Sequence, residues 1–201
     1  MLPPSDHKIS FPMVCFDSSW RTIEEIVAIG EKSAPVSLSS VPEFRAAIAR
    51  GADFLDRRLA EEGVIYGVTT GFGDSCTVAV EPELIAELPR HLYTFHGCGL
   101  GAHFCASETR AVIATRLTSL CKGFSGVSVG LLDQLVKLLA WDVLPAIPCE
   151  GSVGASGDLT PLSYLAAVLC GEGEVLRDGA VVAAAAVLAE AGITPLRLRP
   201  K

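Results

Sequence analysis

Three consecutive residues, Ala155, Ser156 and Gly157, can together become an electrophile that no single side chain provides. If the amide nitrogen of Gly157 attacks the carbonyl carbon of Ala155, a five-membered ring closes. Loss of one water from the ring, and of the Ser156 hydroxyl as a second, leaves an exocyclic methylene conjugated to a carbonyl: a methylidene-imidazolone (MIO). The residue types suit this reaction. Gly157 has no Cβ, so its nitrogen can approach closely and its backbone can take angles closed to other residues. Ala155 is too small to block the closing ring, and Ser156 carries the hydroxyl that is eliminated. Gly151 and Gly154 allow the loop to be compressed before it reacts.

An isolated Ala-Ser-Gly is common and reads equally well as a glycine-rich turn, so the elements around it must decide. By type, Thr160 is a helix N-cap and Pro161 a first helical residue. The expected helix runs from about Pro161 to Cys170, buries Leu162, Leu165, Ala166 and Leu169, and is ended by Gly171. The ring would then stand at a helix N-terminus, where partial positive charge favours electron density building up on it.

Helical signals dominate the rest of the chain. Ser19 is expected to cap a helix from Trp20 to Gly30, with Ile23, Ile26 and Val27 as its inner stripe. A second helix spans about Val41 to Arg50, ended by Gly51 or continuing with a kink through Ala52 to Glu62. Val64 to Asp74 contains three glycines and reads as a loop that brings backbone close to something. Pro82 to Cys98 begins as a helix and gives way to a turn at Gly97–Gly101. Ser107 is expected to cap a helix whose apolar positions Ile113, Leu117, Leu120 and Cys121 recur at helical spacing. Val129 to Trp141 forms another amphipathic helix, stopped before Pro145 and Pro148. A hairpin-like turn at Arg177-Asp178-Gly179 precedes an alanine-rich helix expected over Ala180 to Ala191. The expected fold class is all-α, mainly helical, with glycine-rich loops and at most short strands, in one domain over residues 1–201.

Composition narrows the function classes. The net charge of −7 argues against a nucleic-acid partner. The longest purely apolar run, Ala180 to Ala189, is too short to span a bilayer, and no basic-then-apolar leader opens the sequence. The seven cysteines are an odd number scattered without CxxC pairs, so they read as reduced thiols of a cytoplasmic protein, mostly small core fillers. His96, Cys98, His103 and Cys105 match no zinc-finger or zincin spacing, so no metal is expected.

The stretch Gly151-Ser-Val-Gly-Ala-Ser-Gly-Asp-Leu-Thr-Pro-Leu-Ser-Tyr164 resembles the cofactor-forming segment of the histidine/phenylalanine/tyrosine ammonia-lyase family. Three further stretches carry the resemblance: Tyr66-Gly-Val-Thr-Thr-Gly-Phe-Gly73, Leu88 to Gly101, and Arg110 to Gly126. It implies an MIO formed autocatalytically from Ala155, Ser156 and Gly157, and the non-oxidative elimination of ammonia from an L-amino acid to give an α,β-unsaturated acid. By the same resemblance Tyr66 is the base that removes the substrate's β-proton. A free phenol titrates near ~10, too high for an efficient base at neutral pH, so nearby N–H groups or a helix end are expected to assist it.

Gly73 is similar to a position at which family members bring backbone against the substrate. Phe95 and His96 match the pair beside the substrate ring, which is Ser-His in histidine-specific members, His-Leu in tyrosine-specific ones and Phe-Leu in phenylalanine-specific ones. Phe-His is a hybrid of these and leans towards histidine. Leu159 matches an apolar pocket residue. His91 and Pro89 depart from the family's asparagine and glutamine. Arg110, Arg116 and Lys122 read as members of solvated or ion-paired helix faces.

Family members run well past 201 residues. The resemblance therefore implies that this chain stops before a long central helical bundle, before an asparagine near the cofactor and before the arginine that binds the substrate carboxylate. Family sites are shared between subunits of a homotetramer, so completion by a homo-oligomer or by a complementing C-terminal polypeptide is expected. An aminomutase, which re-adds ammonia at the β-carbon, and a non-catalytic relative remain open alternatives.

Overall fold

The centre of the molecule is a pair of helices whose apolar residues recur every three to four positions. The computed structural model describes residues 12–152 and 157–199. In chain order its elements are β1 (Val14–Phe16), α1 (Ile23–Gly30), β2 (Val36–Leu38), α2 (Pro42–Glu62), a 3₁₀ turn over Gly73–Thr77, α3 (Pro82–Ile85) and α4 (Leu88–His96). There follow β3 (Leu100–His103), α5 (Ala106–Leu120), α6 (Val129–Trp141), β4 (Leu144–Pro145), β5 (Pro148–Glu150), α7 (Leu159–Leu169), β6 (Glu174–Arg177), β7 (Ala180–Ala183) and α8 (Ala184–Glu190). The described residues are thus mainly helical with only short strands, as the sequence reading expects.

Ile113 and Leu117 of α5 are fully buried against Leu132, Leu135 and Leu138 of α6 and Leu165, Val168 and Leu169 of α7. Each such side chain contributes about 1.5–3 kcal/mol by leaving water. Phe16 and Leu188 are fully buried in the same core. Among the described residues three small sheets pin the helices: β1 pairs in parallel with β2, β3 pairs antiparallel with β5, and β6 lies between β4 and β7.

The structure corrects several sequence expectations. Helix α1 begins later than Ser19 predicts, because Thr22 and Glu25 form a reciprocal capping box at 2.8 and 3.2 Å. Its buried residues are Ala28, Ile29 and Gly30, whereas Ile23 and Val27 face outward. Helix α1 packs on α5 through its C-terminal turn, and a Cβ at Gly30 would stand 3.0 Å from Ser107 O. Of the two expected outcomes for the second helix, continuation to Glu62 holds: Gly51 does not end α2, which is one helix of 21 residues. The glycine serves a close approach: a Cβ there would stand 3.0 Å from Gly123 O.

Helix α5 starts after Cys105, not Ser107, with the Cys105 N–H donating to the Glu108 carboxylate at 2.7 Å. Residues Ala180–Ala183 are strand, not helix, because the turn at Asp178-Gly179 folds them back onto the open edge of β6. Five of the seven cysteines are exposed and only Cys121 is buried, so they are not mostly core fillers. No helix among the described residues is long and apolar enough to cross a membrane.

Candidate active site

Tyr66 lies in a turn knitted together by two threonine hydroxyls. Thr69 Oγ1 accepts the Ile65 N–H at 2.7 Å, and Thr70 Oγ1 accepts the Gly67 N–H at 3.2 Å while donating to Gly71 O at 3.0 Å. Both threonines are buried, and Val80 N–H closes the turn on Thr69 O at 2.8 Å. Short hydroxyl side chains bond to backbone a few residues away, which is why they hold turns of this kind. Phe72 sets its ring edge-on to Tyr66, with centroids 6.0 Å apart and planes at 81°. The phenol itself is exposed, and its oxygen accepts the Gly73 N–H at 3.0 Å. Gly73 has φ +57, and the space in which a Cβ would stand is open.

The segment bearing the Ala155–Gly157 tripeptide joins β5 to α7. Ala155 and Ser156 lie outside the described residues, and Gly157 is the tripeptide's described member. Gly157 has φ +54, in the left-handed region that favours glycine, and a Cβ there would stand 3.3 Å from Ser152 Oγ. The Ser152 hydroxyl donates to Gly157 O at 2.5 Å. Gly151 touches the Gly97–Gly101 turn: its Cβ position lies 3.0 Å from Gly99 Cα and 2.6 Å from Thr160 Cγ2. Tyr164 of α7 accepts the Gly99 N–H at 2.9 Å, tying that turn to the helix that follows the loop.

Helix α7 begins two residues before Pro161, with Asp158 at its N-cap. Thr160 is therefore not the cap. It is buried within the first turn, its methyl against Gly151.

Helix α4 packs on α7 and presents the next two candidates. Phe95 and His96 stack edge to face at 5.1 Å, but they point differently. His96 lines a cavity of about 450 Å³ whose walls include Leu159, Leu162, Arg116 and Asp158, whereas Phe95 is 78% exposed and lies outside it. His96 and Leu159 are thus brought together, while Tyr66, Gly73 and Gly157 do not line that cavity. A volume of this size admits an amino acid with an aromatic ring.

Arg116, expected on a solvated or ion-paired helix face, is half-buried on the cavity wall. Arg110 does belong to an ion pair, with Asp142, and Lys122 lies over the Trp20 ring at 3.8 Å. Among the described residues no three His, Cys, Asp or Glu side chains gather as a metal ion would require.

The sequence reading did not find Thr69, Thr70, Ser152 or Tyr164. The signal was present in the first three: a hydroxyl within a few residues of glycine in a loop. Tyr164 bonds across 65 residues, which no local pattern announces.

Residues 21–201 match the family model described as aromatic amino acid lyase. The chain is 43% identical over 189 residues to the MIO-dependent tyrosine 2,3-aminomutase of Streptomyces globisporus, covering 94% of this chain and 34% of that protein. It is 37% identical over 194 residues to the histidine ammonia-lyase of Gloeobacter violaceus, covering 96% of this chain and 37% of that one. The crystal structure of the tyrosine aminomutase from Streptomyces globisporus superposes with a TM-score of 0.86 at 39% identity, covering 94% of this chain and 35% of that chain. The chain spans about a third of the length of these relatives.

Proposed function

Because the aromatic amino acid lyase model matches nearly its whole length, the chain belongs to that family, and on this premise we propose that it carries the electrophile-forming loop and the catalytic base of an ammonia-lyase acting on an aromatic L-amino acid. The observation that carries the reading is the backbone of Gly157. It is left-handed and crowded at the Cβ position, so glycine is required where the ring must close through a main-chain nitrogen. Ala155, Ser156 and Gly157 are the residues that would form the MIO, which supplies an electrophilic methylene carbon for the substrate amine.

The remaining roles follow from the chain's own side chains. Tyr66 takes the proton from the substrate's β-carbon onto its phenol oxygen. The Gly73 N–H already donates to that oxygen at 3.0 Å and fixes its position beside the turn. His96 offers the substrate ring a hydrogen-bonding edge, and Leu159 packs against the ring's face in the same cavity. Phe95 faces outward in this chain, so its contact with a substrate ring would come from a surface completed by another polypeptide. The substrate carboxylate is bound by residues outside this chain, supplied by a homo-oligomer, a tetramer by family likeness, or by a complementing C-terminal polypeptide. The compartment that fits an intact set of free thiols is the cytoplasm.

Histidine is the favoured substrate, since His96 holds the slot used by histidine-specific relatives. A second reading is a tyrosine aminomutase, supported by the 43% identity to one. The test has two parts. The peptide spanning Gly151 to Tyr164 is weighed from protein purified without nucleophilic reagents, and loss of two waters supports the electrophile. L-histidine and L-tyrosine are then supplied and products separated: a free acrylate supports the lyase, and a β-amino acid the aminomutase. An unmodified peptide in fresh protein overturns both.

A further inference from the structure

We propose that Phe72 is the positioning residue for the Tyr66 phenol, an inference that rests on the reading of Tyr66 as the base. A base that takes a proton from carbon must present its oxygen at one place and in one direction, and a small misplacement loses much of the rate. Tyr66 starts badly for this. Its side chain is 63% exposed, so core packing does not choose its rotamer. Two residues of the same loop hold it instead. The Gly73 N–H donates to the phenol oxygen at 3.0 Å, and the Phe72 ring stands edge-on to the Tyr66 ring, with 6.0 Å between centroids and 81° between planes. An exposed hydrogen bond competes with water and pins only the oxygen. The edge-to-face contact depends on the angle between the rings, so it sets the plane in which the phenol lies.

Phe72 can serve as the fixed side of this pair because its backbone and ring are seated without help from the Tyr66 side chain. On one side the Gly71 N–H donates to Val78 O at 3.1 Å, and on the other Phe72 O accepts the Ser75 N–H at 3.1 Å. The turn has no slack there, since a Cβ at Gly71 would stand 2.7 Å from Ser75 O. The Phe72 ring rests on Gly67, where a Cβ would stand 2.6 Å from Phe72 Cε1. Gly67 also has φ +70, a conformation that residues with a Cβ rarely adopt. Glycine at this position thus opens the seat, Phe72 fills it, and Tyr66, the residue before the seat, is held nearly perpendicular to that ring. Phe72 lies outside the hydrophobic core, so core packing does not account for its place.

The test follows exchange of the Gly73 amide proton with deuterium, read by NMR on the 201-residue chain. Tyr66→Phe removes the acceptor and is expected to speed exchange about fivefold, the effect of losing one hydrogen bond. Phe72→Leu leaves the acceptor in place and is expected to speed exchange about threefold, because a phenol without its ring partner meets the Gly73 N–H less often. In the Tyr66→Phe background Phe72→Leu is expected to change nothing further. Unchanged exchange in Phe72→Leu overturns the proposal. So does equal acceleration in both backgrounds, which makes Phe72 a brace for the backbone and not for the phenol. The thermal midpoint of Phe72→Leu is expected to stay near that of the parent, since Phe72 lies outside the core. Should that variant not fold, Phe72→Met makes the same comparison. Where Tyr66 is the base, Phe72→Leu also lowers turnover about tenfold and adds nothing to the loss in Tyr66→Phe, and an additive loss overturns the proposal. Undiminished turnover in Tyr66→Phe removes the base reading, while amide exchange still decides whether Phe72 orients the ring, so the two fail separately.

Discussion

Arg110 grips Asp142 with two guanidinium nitrogens, Nε at 2.7 Å and Nη2 at 3.0 Å, while its Nη1 donates to Gly30 O at 2.7 Å. Lys32 reaches the same carboxylate at 3.0 Å. One aspartate at the end of α6 thus fastens the ends of α1 and α6 to the flank of α5, the arrangement on which the core is stacked. Burial pushes the Asp142 carboxyl up, but the hydrogen bonds and charges of Arg110 and Lys32 outweigh it and hold the group below the usual range. A depressed carboxyl stabilises the fold above its unfolded value, near ~3.9, and the contribution fades as pH falls through the lower folded value. Arg110→Ala is expected to cost about 2 kcal/mol at neutral pH, discounted for the partly exposed carboxylate. Denaturant melts at neutral pH and at about pH 3 check this, and the difference between variant and parent should shrink in acid.

Ser156→Ala and Tyr66→Phe test the proposed electrophile and the proposed base separately. Ser156→Ala removes the hydroxyl that must leave, so the loop peptide should keep its unreacted mass and the melting curve should match the parent's. Tyr66→Phe should still lose two waters, while turnover falls by about 10²–10⁴, the usual contribution of a positioned base. Mass spectrometry paired with initial rates reads both variants. Undiminished turnover in Tyr66→Phe removes Tyr66 from the role.

His96→Leu tests which of the paired ring residues reads the substrate. Because His96, and not Phe95, lines the cavity with Leu159, the change should move preference from L-histidine towards L-phenylalanine by about tenfold. Phe95→Leu should have the smaller effect in any assembly that leaves Phe95 exposed. Ratios of kcat/KM for the two substrates give the answer.

Cys121 should be the last thiol to be alkylated. Burial, helped by the charge of Asp17, pushes it up to about 12, whereas Cys15, Cys76, Cys98, Cys105 and Cys149 are open to solvent. At about pH 8 those five should react first and Cys121 only as the fold opens. Peptide mapping after timed exposure to iodoacetamide measures the order.

The helices most legible in the sequence were those whose pattern repeats along their own length. Helix α6 matches the expected span from Val129 to Trp141, because its leucines recur at helical spacing and Ser128 Oγ accepts a first-turn N–H at 3.3 Å. The turn at Asp178-Gly179 was equally legible, since both residues take positive φ there. The strand that follows was not: Ala180 and Ala183 favour helix while Val181 and Val182 favour strand, and pairing with the open edge of β6 decides for strand.

The identities of Tyr66, His96 and the Ala155–Gly157 tripeptide, with the chemistry those residue types permit, were set by sequence alone, because chemical character belongs to a residue wherever it lies. Folding in three dimensions decided the rest. It set Gly51 of α2 against Gly123 O, turned Phe95 outward and His96 inward, and joined Gly99 to Tyr164 across the chain. Those outcomes depend on which distant backbone arrives at a given point, and a linear pattern holds no record of it.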